Sequence, residues 1–281
     1  MQPEILNAAR RLIASALAED IGTGDITCLA VIPEGLRFKG VMAAREEMVV
    51  AGIILAGEVF RTLSPLVEFK ALVKDGDKVG PGTILAEIKG PARELLTAER
   101  TALNLLQHLS GIATLTSCYV KEIAGTGARL LDTRKTLPGM RLLAKYATKM
   151  GGAKNHRLGL YDGVLIKDNH IAICGGVTAA VKAAQIKGYA PVEVECDTLA
   201  QVEEAVKAEA DIVLLDNMDL ETLKEAVAIA KGKAATEASG GVKLENIRAI
   251  ALCGVDFISV GRITQSAPAI DIGLDWGQDE P

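Results

Sequence analysis

No Cys-x-x-Cys pair occurs in this chain of 281 residues, and its five cysteines are odd in number and widely spaced. That pattern excludes a zinc knuckle and a disulfide framework, and it fits the reduced, mostly buried thiols of a cytoplasmic protein. No basic-then-apolar leader opens the sequence. The longest apolar run, Met48–Gly57, is far short of a membrane span of about 20 residues. Positive charge is in deficit: the formal net charge is −5, which argues against nucleic acid and against a membrane surface as partners. There is no internal repeat and no low-complexity segment. What remains is globular in composition, 49% hydrophobic and 24% charged, and long enough to bury roughly 75% of its unfolded surface without staples.

The first hundred residues read as mixed α+β. Ile5, Leu6, Ala9, Leu12, Ile13, Ala16 and Leu17 recur at helical spacing, which predicts a helix over 4–18. Strands are expected at 36–43, 46–51, 67–73 and 83–88, with a helix at 53–63 and turns at Asp75-Gly76-Asp77 and Gly80-Pro81-Gly82. Pro91 opens a long helix, and a domain boundary is expected near residue 112. Beyond it short apolar strands (129–132, 163–166, 192–196, 212–215, 234–238, 256–260) alternate with helices near 138–150, 176–187, 198–208, 219–231 and 243–252. This alternation predicts a parallel sheet with right-handed crossovers. The expected architecture is α/β: an N-terminal α+β domain (1–112), then an irregular, incomplete parallel α/β barrel (113–269), with the tail 270–281 returning to the first domain.

The chemistry concentrates in Leu131–Ile171. Three acids stand there against eight bases: Asp132, Asp162 and Asp168 against Arg134, Lys135, Arg141, Lys145, Lys149, Lys154, Arg157 and Lys167. A solvated helix face accounts for Lys145 and Lys149. Arg134, Lys135 and Lys167 instead follow expected strand ends, where parallel barrels place their active sites. The later strands end on Glu195, Asp216, Glu237 with Ser239-Gly240-Gly241, and Gly261. Bases, acids and glycine loops therefore gather at one mouth. Arg134, His156, Arg157 and Lys167 suit carboxylates. Glu195 and Asp216 suit ribose hydroxyls or a magnesium ion. Ser239 and Gly240, placed between a strand and an expected helix, suit a phosphate. Asp25 sits in a glycine loop and reads as a turn residue, and His108 and His170 read as structural.

Asp132-Thr133-Arg134-Lys135-Thr136, Asn155-His156-Arg157-Leu158-Gly159-Leu160 and Leu165-Ile166-Lys167-Asp168-Asn169-His170 resemble the signature of the quinolinate phosphoribosyltransferase family. So do Glu19–Thr27, Glu99–Asn104, Val192–Glu195, Leu214–Asn217, Ala238–Gly241 and Ser259–Gly261, all in the same order over nearly the whole chain. The resemblance implies N-ribosylation and decarboxylation of quinolinate by phosphoribosyl pyrophosphate, with Mg2+, in NAD biosynthesis. It implies quinolinate contacts from Arg100, Arg134, His156, Arg157 and Lys167. It implies phosphoribosyl pyrophosphate contacts from Lys135, Glu195, Asp216, Ser239, Gly240 and Gly261, with Lys135, Glu195 and Asp216 as the catalytic set and Glu195 and Asp216 holding the metal. It also implies a homodimer or higher assembly in which Arg100 serves the partner's mouth. The last loop departs from the family pattern: Gln265 stands where a histidine is usual. Three alternatives share parts of the pattern: a relative from the same family linked to molybdate uptake, a Schiff-base barrel aldolase using Lys167, and a non-enzymatic carrier suggested by the hairpin Val73–Ile88.

Overall fold

The computed structural model describes residues 2–277; the tail residues 278–281 lie outside the described part. Along the chain come α1 (Pro3–Ile21), α2 (Ile26–Val31), β1 (Arg37–Ala44), β2 (Met48–Val49), α3 (Ile53–Leu63), β3 (Glu68–Ala71), β4 (Lys78–Val79), β5 (Ile84–Pro91) and α4 (Ala92–Glu122). Then follow β6 (Arg129–Leu131), α5 (Arg141–Met150), β7 (Val164–Ile166), α6 (Asp168–Cys174), α7 (Val177–Ile186), β8 (Val192–Cys196), α8 (Leu199–Lys207), β9 (Ile212–Asp216), α9 (Leu220–Ala230), β10 (Ala235–Ser239), α10 (Ile247–Ala251), β11 (Phe257–Ser259), α11 (Arg262–Gln265) and β12 (Ile272–Gly277).

Contacts divide the chain into two units: Met1–Ser117 with Leu137–Gly152 and Ser266–Pro281, and Cys118–Thr136 with Ala153–Gln265. The first unit holds an antiparallel sheet ordered β12-β1-β5-β3. Its core is apolar and includes Phe60, Leu85, Leu95, Leu106 and Leu109. The tail closes this sheet, with Gly40 opposite Trp276 and Ala44 opposite Ile272. Leu143, Ala144 and Ala147 of α5 join the same core, so this helix, expected among the barrel helices, counts with the first unit. Lys145, expected on a solvated face, is buried there. The periodicity that identifies a helix does not reveal how many of its faces are covered.

The second unit is a six-stranded parallel sheet ordered β6-β11-β10-β9-β8-β7. That order is cyclic and interrupted once, between the first and second strands of the unit. Only a single bridge from Leu131 to Lys154 borders the interruption. Helices α7, α8 and α9 connect successive strands in the expected way. Thr198 and Asp219 cap α8 and α9 by accepting the backbone N–H groups of Gln201 and Thr222. One expected helix starts late, and α6 is not among the helices expected. α10 begins only at Ile247, because the Asn246 side chain accepts the Lys243 N–H at 2.7 Å and donates to the Gly241 carbonyl at 3.1 Å, which holds the intervening residues in a turn. α6 starts directly after Lys167, where the His170 ring accepts the Lys167 N–H at 2.9 Å.

Candidate active site

Register decides which side chains share the inner face of the second sheet. Glu195 and Glu237 each stand opposite Leu214, Ser239 stands opposite Asp216, and Leu165 opposite Glu193. Side chains alternate between faces along a strand. Glu193, Glu195, Leu214, Asp216, Glu237 and Ser239 therefore project to one side. Lys167, two residues beyond Leu165, joins them, and its ammonium is bonded to the Glu195 carboxylate. Lys167, Glu195, Asp216 and Ser239 form the outer layer at the carboxyl ends of the strands. Glu193 and Glu237 lie one layer deeper and are buried.

The deeper layer is closed by His156. Its Nε2 lies 3.2 Å from Glu193 Oε2 and 3.6 Å from Glu237 Oε2. β8 and β10 are two strands apart, roughly 9.6 Å in a flat sheet. The three ligating atoms nevertheless lie within 4.8 Å of one another, as in a sheet curled so that its inner face closes on itself. His156 Nδ1 accepts the Arg157 backbone N–H at 2.7 Å. Nε2 is therefore the ring nitrogen turned to the two carboxylates.

The segment carrying His156 is fastened from below by Asp132, which is fully buried. Its carboxylate accepts the His156 backbone N–H at 2.9 Å and the Asn155 side-chain amide at 2.6 Å. Asp162 accepts the N–H groups of Leu158 and Gly159 at 2.7 and 2.8 Å. Arg157 donates through Nη1 to the Gly163 carbonyl at 3.0 Å. Its guanidinium is pushed below the usual arginine range by burial and next by the charge of Arg134, against the attraction of Glu193 and Asp162. Two guanidiniums close enough to repel, one with a buried Nε lacking a hydrogen-bond partner (Arg134), make a pocket poised for an anion.

Lys135, which follows Arg134 beyond β6, lies along Gly261. A Cβ on Gly261 would stand 2.7 Å from Lys135 Cδ, and the Lys135 carbonyl accepts the Thr264 hydroxyl at 2.6 Å. Asn217 adopts φ 54° and donates its amide to Asp216 Oδ2 at 2.6 Å. Gly240, at φ +86°, lets that asparagine lie against the backbone.

Every expected site residue except Arg100 thus belongs to the second unit. Arg100 is exposed on α4 of the first unit, in a groove with Glu19, Asp20, Asn104, His108 and Leu137. His156 directs both ring nitrogens to protein atoms. Lys167, with a side chain 46% exposed and an ion-pair partner, lacks the desolvation that a Schiff-base lysine needs. Sequence reasoning passed over Asp132, Asn217 and Glu193 as site builders, and it gathered Glu237 only as a strand-end residue of the mouth, where the structure buries it one layer deeper. The signal for Glu193 was present: in Val192-Glu193-Val194-Glu195 the period-two alternation puts both acids on one face.

Burial first, and the Glu193 charge second, push Glu237 up to about 7 from the ordinary 4.5, with His156 pulling the other way. A carboxyl whose folded pKa is raised stabilises the fold below its unfolded pKa, and that contribution is lost as pH rises through the folded value. Glu237→Gln is therefore expected to gain stability relative to the native chain between about pH 4.5 and 7, by up to about 3 kcal/mol. Urea unfolding across this range measures the difference; a difference independent of pH would contradict the raised pKa.

The chain matches two family models, the C-terminal domain of quinolinate phosphoribosyl transferase over residues 112–275 and its N-terminal domain over residues 25–110. It is 42% identical to a probable nicotinate-nucleotide pyrophosphorylase (carboxylating) of Bacillus subtilis, over 95% of this chain and 92% of that one. It is 44% identical to the nicotinate-nucleotide pyrophosphorylase (carboxylating) of Mycobacterium leprae, over 96% and 97%. The solved nicotinate-nucleotide pyrophosphorylase of Francisella tularensis superposes with a TM-score of 0.93 at 46% identity, covering 96% of each chain. That of Ehrlichia chaffeensis gives 0.92 at 42% identity, covering 95% and 98%. Models that together span both units, and relatives above 40% identity over nearly the full length, leave one assignment: this chain belongs to the quinolinate phosphoribosyltransferase family.

Proposed function

We infer that this chain transfers the phosphoribosyl group of phosphoribosyl pyrophosphate to quinolinate, with loss of CO2, to give nicotinate mononucleotide and diphosphate. One observation supports the reading: Lys167, Glu195, Asp216 and Ser239 share the outer layer of the second sheet, with the guanidiniums of Arg134 and Arg157 close to each other near Glu193. The cations suit two adjacent carboxylates. The acids suit ribose hydroxyls and a magnesium ion. Glu195 and Asp216 are hard oxygen donors on one face of adjacent strands, the kind of pair that holds magnesium together with substrate phosphates. When bound there, the ion would neutralise charge on the departing diphosphate.

The remaining work is done by the chain's own groups. Lys135, lying along Gly261, faces the diphosphate as its bond to ribose C1 breaks and the electron pair leaves with oxygen. Arg134, Arg157 and Lys167 hold the pyridine dicarboxylate so that its nitrogen forms the new bond to C1. The ring is then cationic, and the bond to the adjacent carboxylate breaks with its electron pair left on the ring carbon, which takes up a proton. Holding two anions in this relation supplies an orientation effect of roughly 7–11 kcal/mol. Lys167 is bonded to Glu195, and this pair opens when their ligands arrive.

The same reading includes a homodimer in which Arg100 reaches the partner's mouth. Its exposure on α4 supports this. It also includes a cytoplasmic location, supported by five unpaired cysteines. Among the described residues no helix is long and apolar enough to cross a membrane.

The test is magnesium- and quinolinate-dependent release of diphosphate and CO2. Quinolinate is expected to turn over while nicotinate, lacking the second carboxylate, does not; equal rates would sink the dicarboxylate pocket. Asp216→Asn is expected to raise the KM for phosphoribosyl pyrophosphate by about tenfold or more, as loss of a charged contact does, and to leave quinolinate binding intact. Loss of quinolinate affinity alone would refute that placement.

A further inference from the structure

We propose that the buried pair Glu193–Glu237 is a positioning device for the dicarboxylate pocket, acting through His156 on the backbone of Arg157. The proposal rests on the functional reading above and extends it to residues beneath the ligand.

The interior of a parallel barrel is ordinarily filled by branched apolar side chains. Here two glutamates occupy that space, 5% and 1% exposed, and each keeps one carboxylate oxygen without a hydrogen-bond partner. Burying two acids is costly, so their presence needs a return. What they hold is the imidazole of His156, whose Nε2 is 3.2 Å from Glu193 Oε2. The other ring nitrogen accepts the Arg157 N–H at 2.7 Å. A continuous chain of polar contacts thus runs from the barrel interior to the peptide that carries Arg157. Asp132 accepts the N–H of the preceding residue, His156, and the Gly163 carbonyl receives the guanidinium.

The imidazole touches protein with both nitrogens, and through Nδ1 it helps to fix where Arg157 points. Glu193 also adds negative charge near two guanidiniums that repel each other. Its two contributions can be separated, because glutamine keeps the acceptor for His156 and removes the charge. A pocket whose arginine is misplaced by about 1 Å can lose on the order of a hundredfold in rate.

The experiment compares Glu193→Leu and Glu193→Gln in the full chain, with KM measured for each substrate separately. The native chain's turnover of quinolinate is the control for the functional reading itself; if that is absent, the reading fails independently of this proposal. Glu193→Leu is expected to raise the KM for quinolinate at least tenfold with less than a threefold change in the KM for phosphoribosyl pyrophosphate. Glu193→Gln is expected to recover most of that loss. If both KM values rise together, the pair serves folding alone and the proposal is overturned. If glutamine is as poor as leucine, the route through His156 is overturned. Should the leucine variant not fold, Glu193→Asp, which withdraws the acceptor by one methylene, must show the same rise confined to quinolinate, and an unchanged KM would overturn the proposal.

Discussion

Arg100→Ala protein mixed with Lys135→Ala protein is expected to regain activity that neither has alone. On the proposed function each variant removes one cation assigned to a substrate anion, a loss of about 2–5 kcal/mol when the remaining charge is left unpaired. If Arg100 serves the partner's mouth, a mixed dimer has one mouth with both residues intact and one with neither. Free exchange of equal amounts makes half of the dimers mixed, so roughly a quarter of native activity should return. If Arg100 serves its own subunit, both mouths of the mixed dimer lack a residue and nothing returns. Rates before and after exchange, with mixed dimers verified by differential tagging, decide between the two. Mixed dimers that form and remain inactive would remove Arg100 from the partner's site.

Gly240→Ala is expected to damage the phosphoribosyl pyrophosphate side of the mouth and leave the quinolinate side alone. Gly240 holds φ +86°, which costs an L-residue about 1–2 kcal/mol. A Cβ there would also stand 2.2 Å from Asn217 Oδ1. Asn217 must move, and it donates to Asp216 at 2.6 Å, so the strain reaches the carboxylate assigned to the metal. Overpacking of this kind adds about 1–3 kcal/mol. The KM for phosphoribosyl pyrophosphate should rise at least tenfold and the melting temperature should fall by several degrees. Gly241→Ala provides the contrast, since its Cβ would meet Asn217 only at 4.0 Å and would bear the backbone cost alone. Equal effects of the two substitutions would show that the contact with Asn217 is irrelevant.

The elements that follow from local pattern were legible in the sequence. The six parallel strands, α3 and the long helix α4 all lie where apolar periodicity put them, because each buries a face of its own. The candidate site was legible where it coincides with strand ends: the sequence gathers Lys167, Glu195, Asp216 and Ser239 at one mouth, and the register sets Glu195, Asp216 and Ser239 on one face. Features that depend on a distant partner were harder to read. Lys145 is buried although its spacing reads as a surface position. Glu193 draws no notice in the sequence and Glu237 reads as a residue of the mouth, until the curl of the sheet brings the two together beneath His156. The start of α10 was displaced by a side chain, Asn246, competing with the helix for backbone hydrogen bonds.

The pairing of β1 with β12 bears on the order in which the chain is made. Gly40 and Trp276 face each other across the sheet but leave the ribosome far apart in time. At about 5–20 residues per second the edge of β1 waits on the order of ten to fifty seconds for its neighbour. Throughout that interval a nascent chain presents an open strand edge, the form of structure most prone to pairing with another polypeptide. Crowded synthesis on one messenger would then be the moment of greatest danger for this protein. A shortened chain ending before Ile272 would remain in that vulnerable condition permanently.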